Sequence, residues 1–181
     1  FQGDLKVPTV GEINITTDGG FEMSETAAVY GANPTIHAGG RVKFNLQGDL
    51  GSASPTPAPF LLAFSPLSFT ATDANVLNIE SDDTIYVTIV SESETSSVIV
   101  GQLMSYYGEV IINVPDGLHP YDENSLISGN RIEIYTKRGS IGSDDCSTML
   151  RIDSSSNVPD EDYTLLSGGF AARAEGNICV R

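Results

Sequence analysis

The 181-residue sequence predicts an all-β protein: an antiparallel β-sandwich, immunoglobulin-like or jelly-roll-like, with an extended N-terminal arm. Three observations carry that expectation. Between residues 83 and 115, three runs rich in β-branched side chains follow in quick succession, at 84–90, 97–104 and 109–114. In the first, Ile85, Val87 and Ile89 point one way and Tyr86, Thr88 and Val90 the other, the period of two expected of a strand. The links between these runs are short and polar (SESETS at 91–96, then Tyr107-Gly108), and short links join antiparallel neighbours more readily than they span a parallel crossover. Eighteen Gly and nine Pro supply the many turns that such a fold needs.

Taken in order, residues 1–20 read as the arm, a candidate donor strand for a neighbouring subunit. Its apolar side chains are Phe1, Leu5, Val7 and Val10, followed by a short strand at 12–17 (EINITT) with Ile13 and Ile15 on one face. Asp18-Gly19-Gly20 turns the chain, and residues 21–30 suit a short helix or an irregular strand. Residues 41–46 (RVKFNL) alternate, with Val42, Phe44 and Leu46 inward. Residues 48–59 carry Pro55, Pro57 and Pro59 and read as an extended loop inside a single sandwich domain spanning 21–181, because the chain before it makes only a marginal core alone. Residues 60–69 (FLLAFSPLSF) form an apolar patch split by Pro66, and 74–80 a further strand. After the central runs, 116–130 read as a polar loop with one helical turn. Strands are expected at 131–137, 148–152, 163–166 and 169–173, and 177–181 closes the domain. No repeat is visible.

The charge narrows the partners. Twenty-four acidic side chains against nine basic ones leave a net charge of -15, and Lys and Arg stand singly apart from Lys137-Arg138. Nucleic acid and anionic membranes are therefore poor partners, and no apolar run is long enough for a membrane-spanning helix. The chain opens at Phe1 without an initiator Met, as a mature form stripped of its leader would; an engineered start gives the same pattern. Cys146 and Cys179 read as one disulfide of an exported, extracellular protein, closing a loop that contributes about 3–4 kcal/mol on the chain-entropy account; the alternative is two buried free thiols.

Catalytic signatures are thin, and the expectation is that the chain is not an enzyme. His37 and His119 stand apart beside turn residues, no serine sits in G-x-S-x-G, and the two cysteines are too far apart in sequence for a zinc cluster. Calcium is the better metal candidate. Asp153, Asn157, Asp160 and Asp162 offer oxygen ligands, although the EF-hand pattern fails at Val158 and Thr164. Asn14-Ile15-Thr16 is a sequon that makes Asn14 a candidate glycosylation site. Tyr106-Tyr107 is the aromatic pair nearest to a sugar-binding platform in a chain with no Trp.

The leading expectation for function is a structural subunit of an extracellular surface filament. It would form a homopolymer by donating its N-terminal strand to the next copy, since an extended apolar arm suits strand addition and head-to-tail exchange does not close. The alternatives are a secreted, calcium-assisted carbohydrate- or surface-binding module, and a virion decoration protein.

Overall fold

The computed structural model describes residues 5–7, 13–21, 36–38, 42–51, 59–64, 76–90, 97–154 and 168–181. Among them are fourteen strands and no helix. They are β1 (Leu5–Val7), β2 (Ile13–Thr17), β3 (Ile36–Ala38), β4 (Val42–Leu46), β5 (Phe60–Phe64), β6 (Val76–Ser81) and β7 (Ile85–Val90). Then follow β8 (Val98–Ser105), β9 (Glu109–Val114), β10 (Leu118–Pro120), β11 (Leu126–Ser128), β12 (Arg131–Thr136), β13 (Arg151–Asp153) and β14 (Gly169–Arg173).

The expected antiparallel sandwich is overturned, because every strand pairing is parallel. One sheet runs β1-β3-β5-β7-β9-β12-β14 and the other β13-β11-β8-β6-β4-β2, with β10 also paired to β8. The chain thus alternates between two sheets, and each strand lies beside the one laid down a full turn earlier. It is a flattened parallel coil whose rungs each contribute to both sheets. The expected reversal at Tyr107-Gly108 is a corner to the opposite sheet and not a hairpin, as is the link at 82–84, while the expected turn at 91–96 lies outside the described residues: β7 pairs with β5 and β9, and β8 belongs to the other sheet. A parallel crossover does need a long connection. Here the strand on the opposite sheet supplies that length, where an α/β fold would use a helix.

The core follows from stacking equivalent inward positions. Ile15, Phe44, Ile79, Leu103, Ile127 and Ile152 form one column through the second sheet. Leu50, Ile85, Val110, Ile132 and Phe170 form another through the first, and both columns feed one hydrophobic core. Aliphatic β-branched side chains suit such columns, since each lies in van der Waals contact with its copy above and below. Phe44 and Phe60 meet edge-on across the sheets with ring centres 5.6 Å apart, and Phe21 packs on both.

A repeat is therefore present, although residue identity conceals it. Thr17, Leu46, Ser81 and Ser105 share one column at the end of the second sheet, and their spacings of 29, 35 and 24 residues are uneven. After each, three residues turn the corner into the first sheet. The buried Ser81 hydroxyl donates to Gly48 O (2.6 Å) and accepts from Asp83 N (3.2 Å). One rung later, Ser105 donates to Asp83 O (2.8 Å) and accepts from Gly108 N (2.9 Å). Each hydroxyl thus ties its own corner to the preceding one and satisfies backbone groups that the turn would otherwise leave unpaired.

Other expectations fall out differently. Residues 116–130 hold no helical turn: Leu118–Pro120 and Leu126–Ser128 extend the second sheet instead. Within the arm, Leu5–Val7 pairs with Ile36–Ala38 and Ile13–Thr17 with Val42–Leu46, each as the outermost strand of its own sheet, so donation would require them to leave these ladders. Phe1, Val10, and the segments expected at 22–30 and 163–166 lie outside the described residues.

The last turns are pinned covalently. Cys146 and Cys179 stand at disulfide distance with Cα atoms 5.3 Å apart, the arrangement that an oxidising compartment preserves. Cys179 is buried on the final pass, where its N donates to Ile141 O (2.7 Å) and its O accepts from Leu150 N (3.0 Å). Cys146 occupies a left-handed turn (φ 58°) between Ile141 and Leu150. The turn is organised by Asp145, whose Oδ1 accepts from Ser143 Oγ (2.9 Å) and Ser147 N (3.0 Å). Hydrogen bonding from the Ser147 side chain, then from the Ser147 N–H and the Ser143 hydroxyl, favours the charged form and pulls the Asp145 carboxyl down to about 2.

Candidate functional site

Alternation along a half-buried strand sends every second side chain to solvent, and parallel stacking lines those side chains up from rung to rung about 4.8 Å apart. On the outward face of the second sheet this produces two polar rows. Asn14, Lys43 and Asn78 form one; Thr16, Asn45, Glu80 and Met104 form the other. The rows floor a shallow depression of about 270 Å³ lined by Lys43, Asn45, Asn78, Glu80, Gln102 and Met104. A second depression, of about 250 Å³, adjoins it and shares Asn45 and Glu80; Thr16, Asp18, Gln47, Asp82 and Tyr106 complete its walls.

A bulge shapes the first depression. Leu77 pairs with Val100 and Ile79 with Leu103, so Gly101 and Gln102 together oppose Asn78. The Asn78 Oδ1 atom fills the gap and accepts from Gln102 N (3.1 Å). Glycine at 101 leaves room for that amide, since a Cβ there would lie 2.2 Å from the oxygen and push the Asn78 side chain out of the gap. The bulge therefore projects the Gln102 side chain from the sheet at the edge of the depression. Among the described residues, the side-chain amides of Asn45 and Gln102 make no hydrogen bond, so their donors and acceptors face solvent.

The second depression is anchored by Tyr106, at the corner after β8. Its hydroxyl donates to Glu80 Oε1 over 2.5 Å. That hydrogen bond, then partial burial, then the negative charges of Glu80 and Asp82 raise the phenol above its usual 10.0. The phenol is thus held protonated beside the acidic end of the face, while Lys43 gives the other end its positive charge.

The residues expected from sequence fall in several places. Asn14 and Thr16 are both exposed on this face, so the sequon lies at its outer strand. Ile13 is buried and Ile15 half-buried, as core residues of β2; Leu5 and Val7 belong to β1. Among the calcium candidates Asp153 ends β13, while Asn157, Asp160 and Asp162 lie outside the described residues. No group of three or more His, Cys, Asp or Glu is placed to hold a metal ion among the described residues. His119 donates from Nδ1 to Gly142 O (2.7 Å) and faces no nucleophile among its described contacts.

Sequence reasoning reached Tyr106 but missed Asn45, Asn78, Glu80 and Gln102. The available signal was an amide or acid at the outward position of successive alternating runs, which becomes meaningful only once those runs are known to stack. No protein-family model, no curated protein and no solved structure matches the chain.

Proposed function

We propose that the chain is an exported binding module that holds an extended, hydroxyl-rich polymer, a polysaccharide, on the outward face of its second sheet. The supporting observation is the pair of registered rows of amide, hydroxyl and carboxylate groups beside two adjoining depressions, with the Asn45 and Gln102 amides unengaged. Amides and carboxylates pair with sugar hydroxyls in both directions, because amides donate and accept while carboxylates accept only. Rows repeating at the rung spacing offer a periodic ligand the same contacts several times over. Tyr106 adds a ring of the amphipathic kind that sits at sugar surfaces. The net charge of -15 disfavours polyanions, so the ligand class is a neutral or amine-bearing glycan. A cysteine pair at disulfide distance agrees with work outside the cell.

The test is affinity electrophoresis of the whole chain through gels carrying neutral, amine-bearing or acidic polysaccharides, with and without a calcium chelator. Retardation is expected on a neutral or amine-bearing polymer. Asn45→Ala and Gln102→Ala should each weaken it roughly 3- to 10-fold, the effect of losing one net hydrogen bond. Free migration through all three classes would sink the reading, and retardation abolished by the chelator would move the site to a calcium-dependent locus elsewhere.

A further inference from the structure

The coil is closed along its length and open at its ends. The first sheet ends in β14, whose inner edge pairs with β12 and whose outer edge has no partner strand among the described residues. Gly169 N donates to Asn130 O (3.2 Å), so backbone alternation turns the N–H groups of Gly169, Ala171 and Arg173 towards β12. Those of Phe170 and Ala172 point to the open edge.

The core columns are uncovered at the same end. Phe170 continues the column of Leu50, Ile85, Val110 and Ile132, whose members are fully buried, yet it is 40% exposed. Ile178 continues the column of Leu118 and Ile141 and is 45% exposed, although both of those are fully buried. At the other end, β1 and β2 are the outermost strands of the two sheets. Since every pairing is parallel, the outer edges of β1 and β14 are opposite sides of one ladder.

We infer that a second copy of this chain seats its β1–β2 rung on the β14 end of the first, head to tail, continuing both sheets and covering Phe170 and Ile178. Such a contact keeps the strand direction and the inward columns in phase across the junction. It uses different surfaces on the two partners, so it does not close and yields a rod. Free outward N–H groups beside an exposed Phe170 are what an unprotected sheet edge offers to another chain, and Arg173 is the single charged residue of β14. Each copy carries a charge of -15, so added salt should promote the contact by screening their repulsion. The inference is independent of the polysaccharide reading, because neither Phe170 nor Ile178 lines the polar face.

Size-exclusion chromatography with light scattering, over a series of concentrations and salt, tests it on the intact oxidised chain, with negative-stain electron microscopy of the peak. The expected result is a mass that rises with concentration and salt without a fixed stop, and rods of constant width. Ala172→Pro removes one outward donor while leaving the bonds to β12 intact, and should give a monomer with unchanged melting. If that variant does not fold, the pair Phe170→Lys and Ile178→Lys, both at exposed positions, decides. A monomer at every concentration overturns the inference. So does a dimer that grows no further, which would mean a twofold β14–β14 contact, and so does assembly that survives the variant that folds.

Discussion

The Ser81 hydroxyl reaches across to the Gly48 carbonyl of the preceding rung, 2.6 Å away, and so couples two corners that are 33 residues apart in sequence. Ser81→Ala removes that partner from Gly48 O, which is half-buried, and from Asp83 N, which lies nearer solvent. A loss of about 0.5–1.5 kcal/mol in unfolding free energy is expected, measured by denaturant titration. Ser105→Ala should cost a similar amount. Because both hydroxyls bond groups of Asp83, the double variant should depart from additivity.

Tyr106 should titrate above the ordinary phenol value of 10.0, followed by its ultraviolet absorbance. Glu80→Gln removes both the carboxylate acceptor and its charge, and should bring the titration back towards 10.0. The sign for stability follows. A raised folded value favours the neutral phenol, so the contribution of this pair is present below 10.0 and lost as pH rises through the folded value. A phenol titrating at or below 10.0 in the native chain would contradict the hydrogen bond.

Reduction of the Cys146–Cys179 pair removes a constraint on residues 33 apart, which is worth about 3–4 kcal/mol on the chain-entropy account. The effect should be local first. Amide hydrogen exchange should accelerate in 143–150 and 168–181 well before the rungs built on β4 to β9 are affected. Uniform acceleration along the chain would show that the coil unfolds only as a whole.

Asp145 gives the acid limb. Its carboxyl falls from 3.8 to about 2 on folding, so its contribution is complete above 3.8 and disappears as pH falls through about 2. The stability difference between the native chain and Asp145→Ala should therefore be constant near neutral pH and shrink across that window. A difference that persists below it would place the role of Asp145 in packing instead of charge.

How much of this was legible depends on the level. The strands were: alternation marks Ile85, Val87 and Ile89 as inward, and they are buried. Residues 41–46, 84–90, 109–114, 131–137 and 169–173 differ from the observed strands by a residue or so at either end. The pairing was not, because a three-residue link such as 82–84 has the length of a hairpin loop and nothing local says that it turns into another sheet. What distinguishes the coil is a buried Ser81 or Ser105 closing one run, then a corner, then an inward Ile85 or Val110. Two such serines among many are noise until their columns are seen. Parallel sheets are usually covered on both faces and read as unbroken apolar runs, whereas these keep polar outer rows, which made the antiparallel expectation natural. The same rows form the candidate site, which was hidden for the same reason.

Pro120 and Leu126 stand only two positions apart along β8, opposite Val100 and Gln102, although five residues lie between them in the chain. Leu50 and Phe60 do the same opposite Ile85 and Val87. The ladder thus keeps count of positions and is indifferent to the length of chain between them. For protein engineers this makes the coil a splicing scaffold. Foreign peptides inserted within 121–125 should leave the rungs where they are and be displayed at a spacing set by the sheet.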